Sequence, residues 1–245
     1  IQRKGSNSFE ALNEPIILDG PYSNSAFDIV CKNDKVYMII GGKDLLNGKR
    51  FDKGGYILTY DYDKWSFIDP KEAQKKLNLP RNPRDYTSIA VTTDDSNDEI
   101  VYASSMGDGV IQYKNGTPVQ SYNEKNAFKE TAGGYGSGYC YIDGLAFDKN
   151  GNLWMTSSEV NHAVLVLDKA GAWHRLDIEQ LRGVYTINDI LITSTNDKWI
   201  YVPRNTPKLV MIPNSESLDE VSSYEFTTLI DTDGKELTPS NYTCV

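Results

Sequence analysis

Short apolar runs separated by polar turns recur along the chain, and four stretches repeat them in the same order. Each stretch has four such runs, and its first run begins with one of the residues Phe27, Thr87, Asp143 and Asn188. The second run always carries an aromatic residue. These residues are Tyr37, Tyr102, Trp154 and Tyr201, which lie 65, 52 and 47 residues apart. Short apolar runs bounded by turn residues indicate β-strands.

The repeat predicts a fold in which each stretch is a four-stranded antiparallel meander. Asn115-Gly116 and Asn150-Gly151 stand between runs, and Asn-Gly is a strong hairpin signal. Four-stranded units at this period are typical of β-propeller blades, which bury their faces by stacking on one another. A β-sandwich also uses short strands, but it does not need the same four-strand order four times. We therefore predict an all-β fold, a β-propeller, with blades at roughly 26–69, 86–122, 142–177 and 187–227.

The flanks of the repeat and one helix complete the expected organisation. Residues 15–18 and 241–245 resemble single strands of further blades. Because propellers close with about 4–8 blades, we expect the chain to be part of a larger propeller. The alternative is that these two strands pair and close a five-bladed ring. Residues 70–77 are expected to be helical, with Asp69 as the N-cap and Pro70 in the first turn.

Composition narrows the possible partners. The 245 residues include 25 Lys and Arg against 34 Asp and Glu, which gives a net charge of −9. Such a charge disfavours nucleic acid as the main partner. No apolar run reaches the roughly 18 residues of a membrane-spanning segment, so none is predicted. Cys31, Cys140 and Cys244 form no Cys-x-x-Cys motif, and we expect buried core thiols rather than a metal or redox site. No cofactor is predicted.

The loops that join successive blades, and those between second and third strands, emerge on one face of a propeller, where ligands commonly bind. The loop at residues 41–55 is long and carries Lys43, Lys49, Arg50 and Lys53. In an acidic protein this loop could form a local cationic spot for an acidic sugar or a phosphate. The simpler alternative is an ordinary solvated loop.

A second loop, at residues 131–141, interleaves glycines with Tyr135, Tyr139 and Tyr141. It lacks the Gly-Lys-Ser/Thr of a phosphate-binding loop and the strand-to-helix context of a dinucleotide site. Exposed tyrosines on such a loop would stack on a sugar or grip a protein partner. Alternatively, the tyrosines pack between the second and third blades.

Little in the chain suggests catalysis. There is no Gly-x-Ser-x-Gly motif, and of the two histidines only His162, beside Glu159, falls in a loop of the predicted ligand face. We predict no catalytic residue and no metal ligand. The predicted ligand- or partner-binding residues all lie on that face: Lys43, Lys49, Arg50, Arg84, Tyr135, Tyr139, Tyr141, Glu159, His162 and Arg204.

Residues 142–156 (IDGLAFDKNGNLWMT) resemble the repeats of two-component-regulator β-propellers. Three further segments look more specifically like the propeller of the PorZ-like proteins of Bacteroidetes: 84–91 (RDYTSIAV), 104–113 (SSMGDGVIQY) and 123–126 (NEKN). The resemblance covers about residues 80–200. It implies a periplasmic or cell-surface protein connected with type IX secretion and attachment to the cell surface. Related propellers are the periplasmic glycan sensors of hybrid two-component regulators.

The Asp-Gly-Leu-Ala sequence also occurs in gluconolactonase-type propeller enzymes, which hold a metal on the propeller axis. Here the starts of the first strands offer Asp143, Asn188 and Asn241 for that role, but Thr87 stands there in the second unit and no Glu is evident. The leading expectation is a non-enzymatic, exported propeller module that binds a protein or a glycan at the periplasm or the outer-membrane surface. The alternatives are a periplasmic glycan-sensing propeller of a hybrid regulator and a metal-dependent hydrolase of the lactonase type.

Overall fold

A computed structural model describes residues 2–3, 9–10, 20–44, 47–128, 131–133, 138–204 and 206–237. Almost all of its regular structure is strand. The expected single strands at 15–18 and 241–245 lie outside the described residues, as do Tyr135 and Cys244. Near the start of the chain, β1 (Gln2–Arg3) pairs with β2 (Phe9–Glu10).

Four antiparallel units follow, each built of four strands consecutive in the chain, and we call them blades one to four. The second and third units are joined into one eight-stranded sheet, because Cys140 and Tyr141 pair with Gly107 and Met106. Blade one contains β3 (Ala26–Lys32), β4 (Lys35–Ile40), β5 (Ile57–Asp61) and β6 (Lys64–Ile68). Blade two contains β7 (Tyr86–Thr93), β8 (Glu99–Gly107), β9 (Gly109–Lys114) and β10 (Thr117–Tyr122). Blade three contains β11 (Cys140–Phe147), β12 (Leu153–Ser157), β13 (Val164–Leu167) and β14 (Trp173–Leu176). Blade four contains β15 (Ile190–Ile192), β16 (Lys198–Val202), β17 (Lys208–Ile212) and β18 (Tyr224–Phe226).

Apolar side chains fill the space between successive blades. One cluster joins Tyr37 and Ile57 of blade one to Ile111 of blade two, and another joins Tyr102 of blade two to Met155 of blade three. A third cluster places Trp154 among residues of blades three and four. The recurrent aromatic residue of the second strand therefore packs toward the following blade in the first three units. Burial of these surfaces is the main stabilising contribution to the stack.

Of the two Asn-Gly turns, one is the two-residue hairpin turn that the sequence predicts and the other is longer. Asn115 and Gly116 both have positive φ, 47° and 73°, as a two-residue hairpin turn requires. The turn at Asn150-Gly151 is longer, because the Asp148 side chain accepts hydrogen bonds from the amides of Asn150 and Asn152, both at 2.9 Å. A carboxylate that holds neighbouring amides in this way stabilises a wider turn.

The helix α1 (Pro70–Leu77) lies between blades one and two and begins as predicted. The Asp69 side chain accepts a hydrogen bond from the amide of Lys71 at 2.9 Å, and Pro70 opens the helix. Asn78 ends it in the left-handed conformation, with φ of 51°. A π-helical turn (Glu124–Phe128) and a 3-10 turn (Glu179–Leu181) lie between later blades, and β19 (Leu229–Ile230) pairs with β20 (Glu236–Leu237) beyond blade four.

The expectation of buried thiols is correct for Cys140 and wrong for Cys31. Cys140 is 2% exposed, and burial raises the pKa of its thiol to about 12. Cys31 is exposed. It stands on the same side of β3 as Ile29, which is 58% exposed, whereas Val30 points to the cluster shared with blade two. Alternation along a strand separates its two sides, but it does not identify which side is covered.

Candidate functional site

The connection between β4 and β5 leaves blade one and reaches blades three and four. We call it the crossing loop; it comprises residues 41–55, of which 45–46 lie outside the described residues. The Lys43 ammonium forms an ion pair with Asp143 of blade three and donates a hydrogen bond to the carbonyl of Ile187, next to blade four, at 3.1 Å. Since blade one packs on blade two, these contacts join blade one to blades that do not follow it directly in the chain.

Glycine allows the crossing loop to leave blade one close against blade two. Gly41 has φ of +134°, and a Cβ there would lie 2.4 Å from the amide nitrogen of Tyr86. Only glycine fits so close to another backbone in this conformation. Further along, the loop is tied to blade two, because the Lys53 amide donates to the Asp85 carboxylate at 2.8 Å and the Gly55 amide donates to the Pro83 carbonyl at 3.0 Å.

The Lys43 side chain lies in a closed polar environment. It is 1% exposed and its partner Asp143 is fully buried. Ser158 also donates to the Asp143 carboxylate, and the Lys43 ammonium lies 5.0 Å from the centre of the Tyr141 ring. Burial raises the pKa of Asp143 to about 6, although Lys43 and Ser158 both lower it. The sequence suggested that Lys43 forms part of a solvent-facing cationic spot; instead, the buried carboxylate takes up its charge.

Other carboxylates surround this pair, and together with Asp143 we call them the axial carboxylates: Asp28, Glu159 and Asp189. Burial raises the pKa of each, and that of Asp189 reaches about 6 because Asp28 and Asp143 add negative charge. Asp189 is nevertheless exposed over part of its surface, so its carboxyl is surrounded by protein atoms without being sealed from water. The sequence analysis did not single out Asp28 or Asp189. An Asp-Ile pair near the start of the first strand in units one and four was the available signal.

A groove opens on the same face beside the crossing loop, with a volume of about 560 Å³. The connections around blade two form its walls, and we call it the Tyr139 groove. Its lining residues are Leu79, Pro80, Arg81, Gly107, Asp108, Ser121, Asn123, Glu124, Lys125, Gly138 and Tyr139. This groove unites parts of the chain that are distant in sequence.

Tyr139 is the aromatic wall of this groove, and its neighbours fix its position. Its ring lies on Gly107, where a Cβ would come within 2.7 Å of the ring carbon Cε2. The ring also meets that of Tyr141 edge-on, with 6.4 Å between centroids. An ion pair forms part of the polar wall of the groove, in which Arg81 Nε donates a hydrogen bond to Asp108 Oδ1 at 2.8 Å. Glu124 accepts a hydrogen bond from the Gly138 amide at 2.6 Å.

Among the predicted residues that the structure describes, Tyr139 is the one that lines the groove, and the others lie on the crossing loop or elsewhere near the loop face. Arg50 and Arg84 share Asp52, with the Asp52 Oδ1 atom 2.9 Å from Arg50 Nε and 3.6 Å from Arg84 Nη1. Lys49 is exposed on the crossing loop. Tyr141 is 2% exposed, so of the two possibilities for this residue the structure shows packing rather than surface display.

At the far end of the crossing loop, the Arg204 guanidinium lies over the ring of Tyr185, 5.4 Å from its centroid. Glu159 stands beside the Asp143 pair with φ of 61°, and its amide donates to the Val184 carbonyl at 2.8 Å. His162 lies near Asp177, whose pKa is lowered chiefly by Arg182 and in a smaller part by His162. The structure thus brings most of the predicted residues around one loop and sets His162 apart from the groove lining.

Two further features of the described residues concern metal binding and membrane insertion. In that part of the chain, no group of three or more His, Cys, Asp or Glu side chains is arranged to hold a metal ion. No helix among those residues has the length and apolar character needed to cross a membrane.

Sequential four-stranded antiparallel blades define the class of this protein as a β-propeller, as the sequence predicted. The chain is similar in structure to PorZ of Porphyromonas gingivalis, a surface component of its type IX secretion system. The TM-score is 0.75 at 19% identity, and the alignment covers 91% of this chain and 30% of PorZ. The resemblance to PorZ-like propellers is therefore confirmed for the fold, over about three tenths of the PorZ chain.

Two further solved structures give lower TM-scores. The periplasmic gluconolactonase of Pseudomonas aeruginosa gives a TM-score of 0.52 at 10% identity, covering 86% of this chain and 63% of the enzyme. The extracellular domain attributed to a hybrid two-component system of Bacteroides thetaiotaomicron gives a TM-score of 0.44 at 15% identity, covering 88% of this chain and 31% of that domain's chain. No protein-family model and no curated protein sequence matches the chain. Likeness at these identities shows the fold alone.

Proposed function

We propose that this propeller is a non-enzymatic binding module that works outside the cytoplasm, at the periplasm or the outer-membrane surface, and binds a glycan or a protein on its loop face. The Tyr139 groove is the observation that carries the proposal. Its volume of about 560 Å³ falls within the range of roughly 300–1,000 Å³ that is typical of ligand pockets. Ligand sites combine apolar or aromatic surface with a few positioned polar groups, and here Leu79, Pro80 and Tyr139 supply the apolar surface.

The groove chemistry favours a glycan over a peptide. The Tyr139 ring offers an apolar face with a polar end, which suits the carbon face of a sugar ring. The Arg81–Asp108 pair and Glu124 are held by other contacts, so they would meet sugar hydroxyls with little loss of side-chain freedom. The exposed Lys125 adds a cation at the rim, which leaves an acidic sugar as one possible ligand.

The likeness to PorZ supports the exported location and a role at the cell surface within this proposal. Because the chain spans about 30% of PorZ, the activities of the whole protein are carried over only as a proposal. A periplasmic glycan sensor would use the same groove and differ in the segments joined to the propeller. The lactonase alternative is supported only by a fold likeness at 10% identity.

Binding should be tested on a glycan array and by affinity capture with the purified chain, followed by titration of any glycan that binds. We expect Tyr139→Ala to weaken that glycan by about tenfold or more, as loss of a central aromatic contact usually does. Tyr62→Ala is the matched control, since Tyr62 is 76% exposed in a turn of blade one away from the groove. The absence of any glycan or protein partner, or equal binding by Tyr139→Ala and the wild type, would contradict the proposal.

A further inference from the structure

We propose that a cavity between blades two and three, on the face opposite the Tyr139 groove, is a second binding site for a small sugar that carries a carboxylate or a phosphate. We call it the wedge cavity, and its volume is about 520 Å³. Its lining residues are Thr92, Thr93, Asp94, Asp95, Ile100, Tyr102, Gln112, Lys114, Phe147, Lys149, Asn150, Gly151, Leu153, Leu167, Asp168 and Lys169. The site goes beyond the proposed function, because it shares no residue with the Tyr139 groove.

The pairing of the two blades explains why the space between them is open. β8 pairs with β11 near the loop face, where Gly107 meets Cys140. The other ends of these two strands, at Ile100 and Phe147, line the cavity. Turns between first and second strands, and between third and fourth strands, lie on the face opposite the loop face of an antiparallel meander. Such turns of blades two and three form the mouth of the cavity.

Two polar side chains at the floor of the wedge cavity have donors that the fold does not use. Tyr102 and Gln112 pair directly across β8 and β9. The Oε1 atom of Gln112 accepts from the Tyr122 hydroxyl at 2.8 Å, so its Nε2 group is left without an acceptor among the described residues. Within the same part of the chain, the Tyr102 hydroxyl has no hydrogen-bond partner, although Tyr122 and Phe147 hold its ring. Burial raises the pKa of Tyr102, so its hydroxyl remains a donor near neutral pH.

Two lysines at the mouth carry charge that the fold leaves largely unpaired. Lys149 is exposed, and no residue that the structure describes forms an ion pair with it. Lys169 reaches Asp95 at 3.8 Å, but both side chains are mainly in water, and such exposed pairs contribute little. An anionic ligand could therefore approach both ammonium groups without displacing a strong ion pair.

The other carboxylates of the lining are already engaged. Asp94 accepts a hydrogen bond from the Lys114 ammonium at 2.8 Å, and Asp168 Oδ2 lies 3.1 Å from His174 Nε2. These contacts are the largest causes that lower the pKa of each carboxyl. Although the lining has as many Asp as Lys residues, the charge still free to meet a ligand is mainly positive.

These contacts define the ligand by its chemistry. A carboxylate or a phosphate would accept charge-assisted hydrogen bonds from Lys149 and Lys169. The donors of Tyr102 and Gln112 require neutral acceptors deeper in the cavity, and sugar hydroxyls can accept there. The partly exposed Phe147 ring offers a surface for the carbon atoms of a sugar ring. A lysine binds carboxylate and phosphate alike as a point charge, so both anions are tested.

Titration of the purified chain, followed in its two-dimensional amide NMR spectrum, tests the site with three probes that share one sugar body. The probes are D-glucuronate, D-glucose 6-phosphate and neutral D-glucose. The reporting amides are those of Thr93 in blade two and Gly151 in blade three, which both line the cavity. We expect at least one of the two anions to shift both signals with an affinity about tenfold or more above that of glucose. If neither anion binds there more tightly than glucose, the proposal is overturned.

Single-group variants show whether the anion binds in this cavity. Tyr102→Phe removes only an unpartnered hydroxyl, so it should weaken the anion about threefold to tenfold and leave the urea midpoint nearly unchanged. Lys149→Gln should weaken the anion by a similar factor without affecting glucose. Lys71→Gln, at an exposed lysine of α1, and Tyr139→Ala, in the other groove, are controls and should bind as the wild type does. Wild-type affinity in both cavity variants, or lost affinity in either control, would contradict the assignment.

Discussion

Trp154→Phe removes one hydrogen bond and weakens one cation–π contact at the junction of blades three and four while it keeps most of the aromatic bulk. The Trp154 indole donates to Asp148 Oδ2 at 3.0 Å, and a hydrogen bond to a charged group contributes about 1.5–3 kcal/mol. Asp148 still accepts a hydrogen bond from the Asn152 amide in the variant, which reduces the loss of stability. The ammonium of the buried Lys198 lies 4.4 Å from the ring centroid, and phenylalanine is a weaker partner than tryptophan. Together these changes predict a loss of about 2–3 kcal/mol in the free energy of unfolding.

Equilibrium urea unfolding, followed by circular dichroism, measures this loss as a lower midpoint at an unchanged slope. Trp154→Ala should lose more, about 3–5 kcal/mol, because it also creates a cavity beside buried side chains such as Ile200. Trp65→Phe is the control, since Trp65 is only partly buried in β6, and its change should stay within about 0.5 kcal/mol. If Trp154→Phe were no more destabilising than Trp65→Phe, the account of the recurrent aromatic residue as a junction between blades would be refuted.

Two further predictions concern pH and backbone geometry. The pKa of His174 is raised by Asp219 and Asp168, so its contribution to stability is full below the unfolded pKa of about 6.5 and is lost as pH rises through the folded value. His174→Gln should therefore lower the urea midpoint at about pH 5.5 and leave it unchanged at about pH 9; the opposite pattern would show that the ion pairs do not stabilise the fold. Gly41→Ala would place a Cβ 2.4 Å from the Tyr86 amide nitrogen, so it should lower the melting temperature. Gly171 also has a positive φ but has nothing within 4 Å of its Cβ position, so Gly171→Ala should lower the melting temperature less.

Local signals in the sequence were sufficient for the blades because each blade is made of strands consecutive in the chain. The aromatic repeat that includes Trp154 and the Asn115-Gly116 turn both depend on neighbours within a few tens of residues. The helix start at Asp69 is more local still. Such features follow from strand alternation, turn geometry and capping, which are properties of short segments.

The site was harder to predict because its contacts are between residues distant in sequence. Lys43 meets Asp143 at a separation of 100 residues and the Ile187 carbonyl at 144. A lysine in a glycine-rich polar loop has every local feature of a solvated residue, and only its ion pair with the buried Asp143 gives it another role. The error at Cys31 has a similar origin, because the covering of a strand face depends on a neighbouring blade and not on the strand. The sequence alone singled out Tyr139 as a candidate because aromatic residues interleaved with glycines in a loop are unusual.

A short series of contacts connects the Tyr139 groove to the crossing loop. The Tyr139 ring in the groove touches Tyr141 edge-on, and Tyr141 in turn faces the Lys43 ammonium at 5.0 Å. Burial raises the pKa of Tyr139 and nearby Arg50 opposes the rise, so the crossing loop also acts on the groove electrostatically. Contact alone does not establish coupling between the groove and the crossing loop; coupling requires that a ligand in the groove change the free energy of the Lys43–Asp143 contact. If it does, breaking that contact must change the affinity of the groove by the same factor.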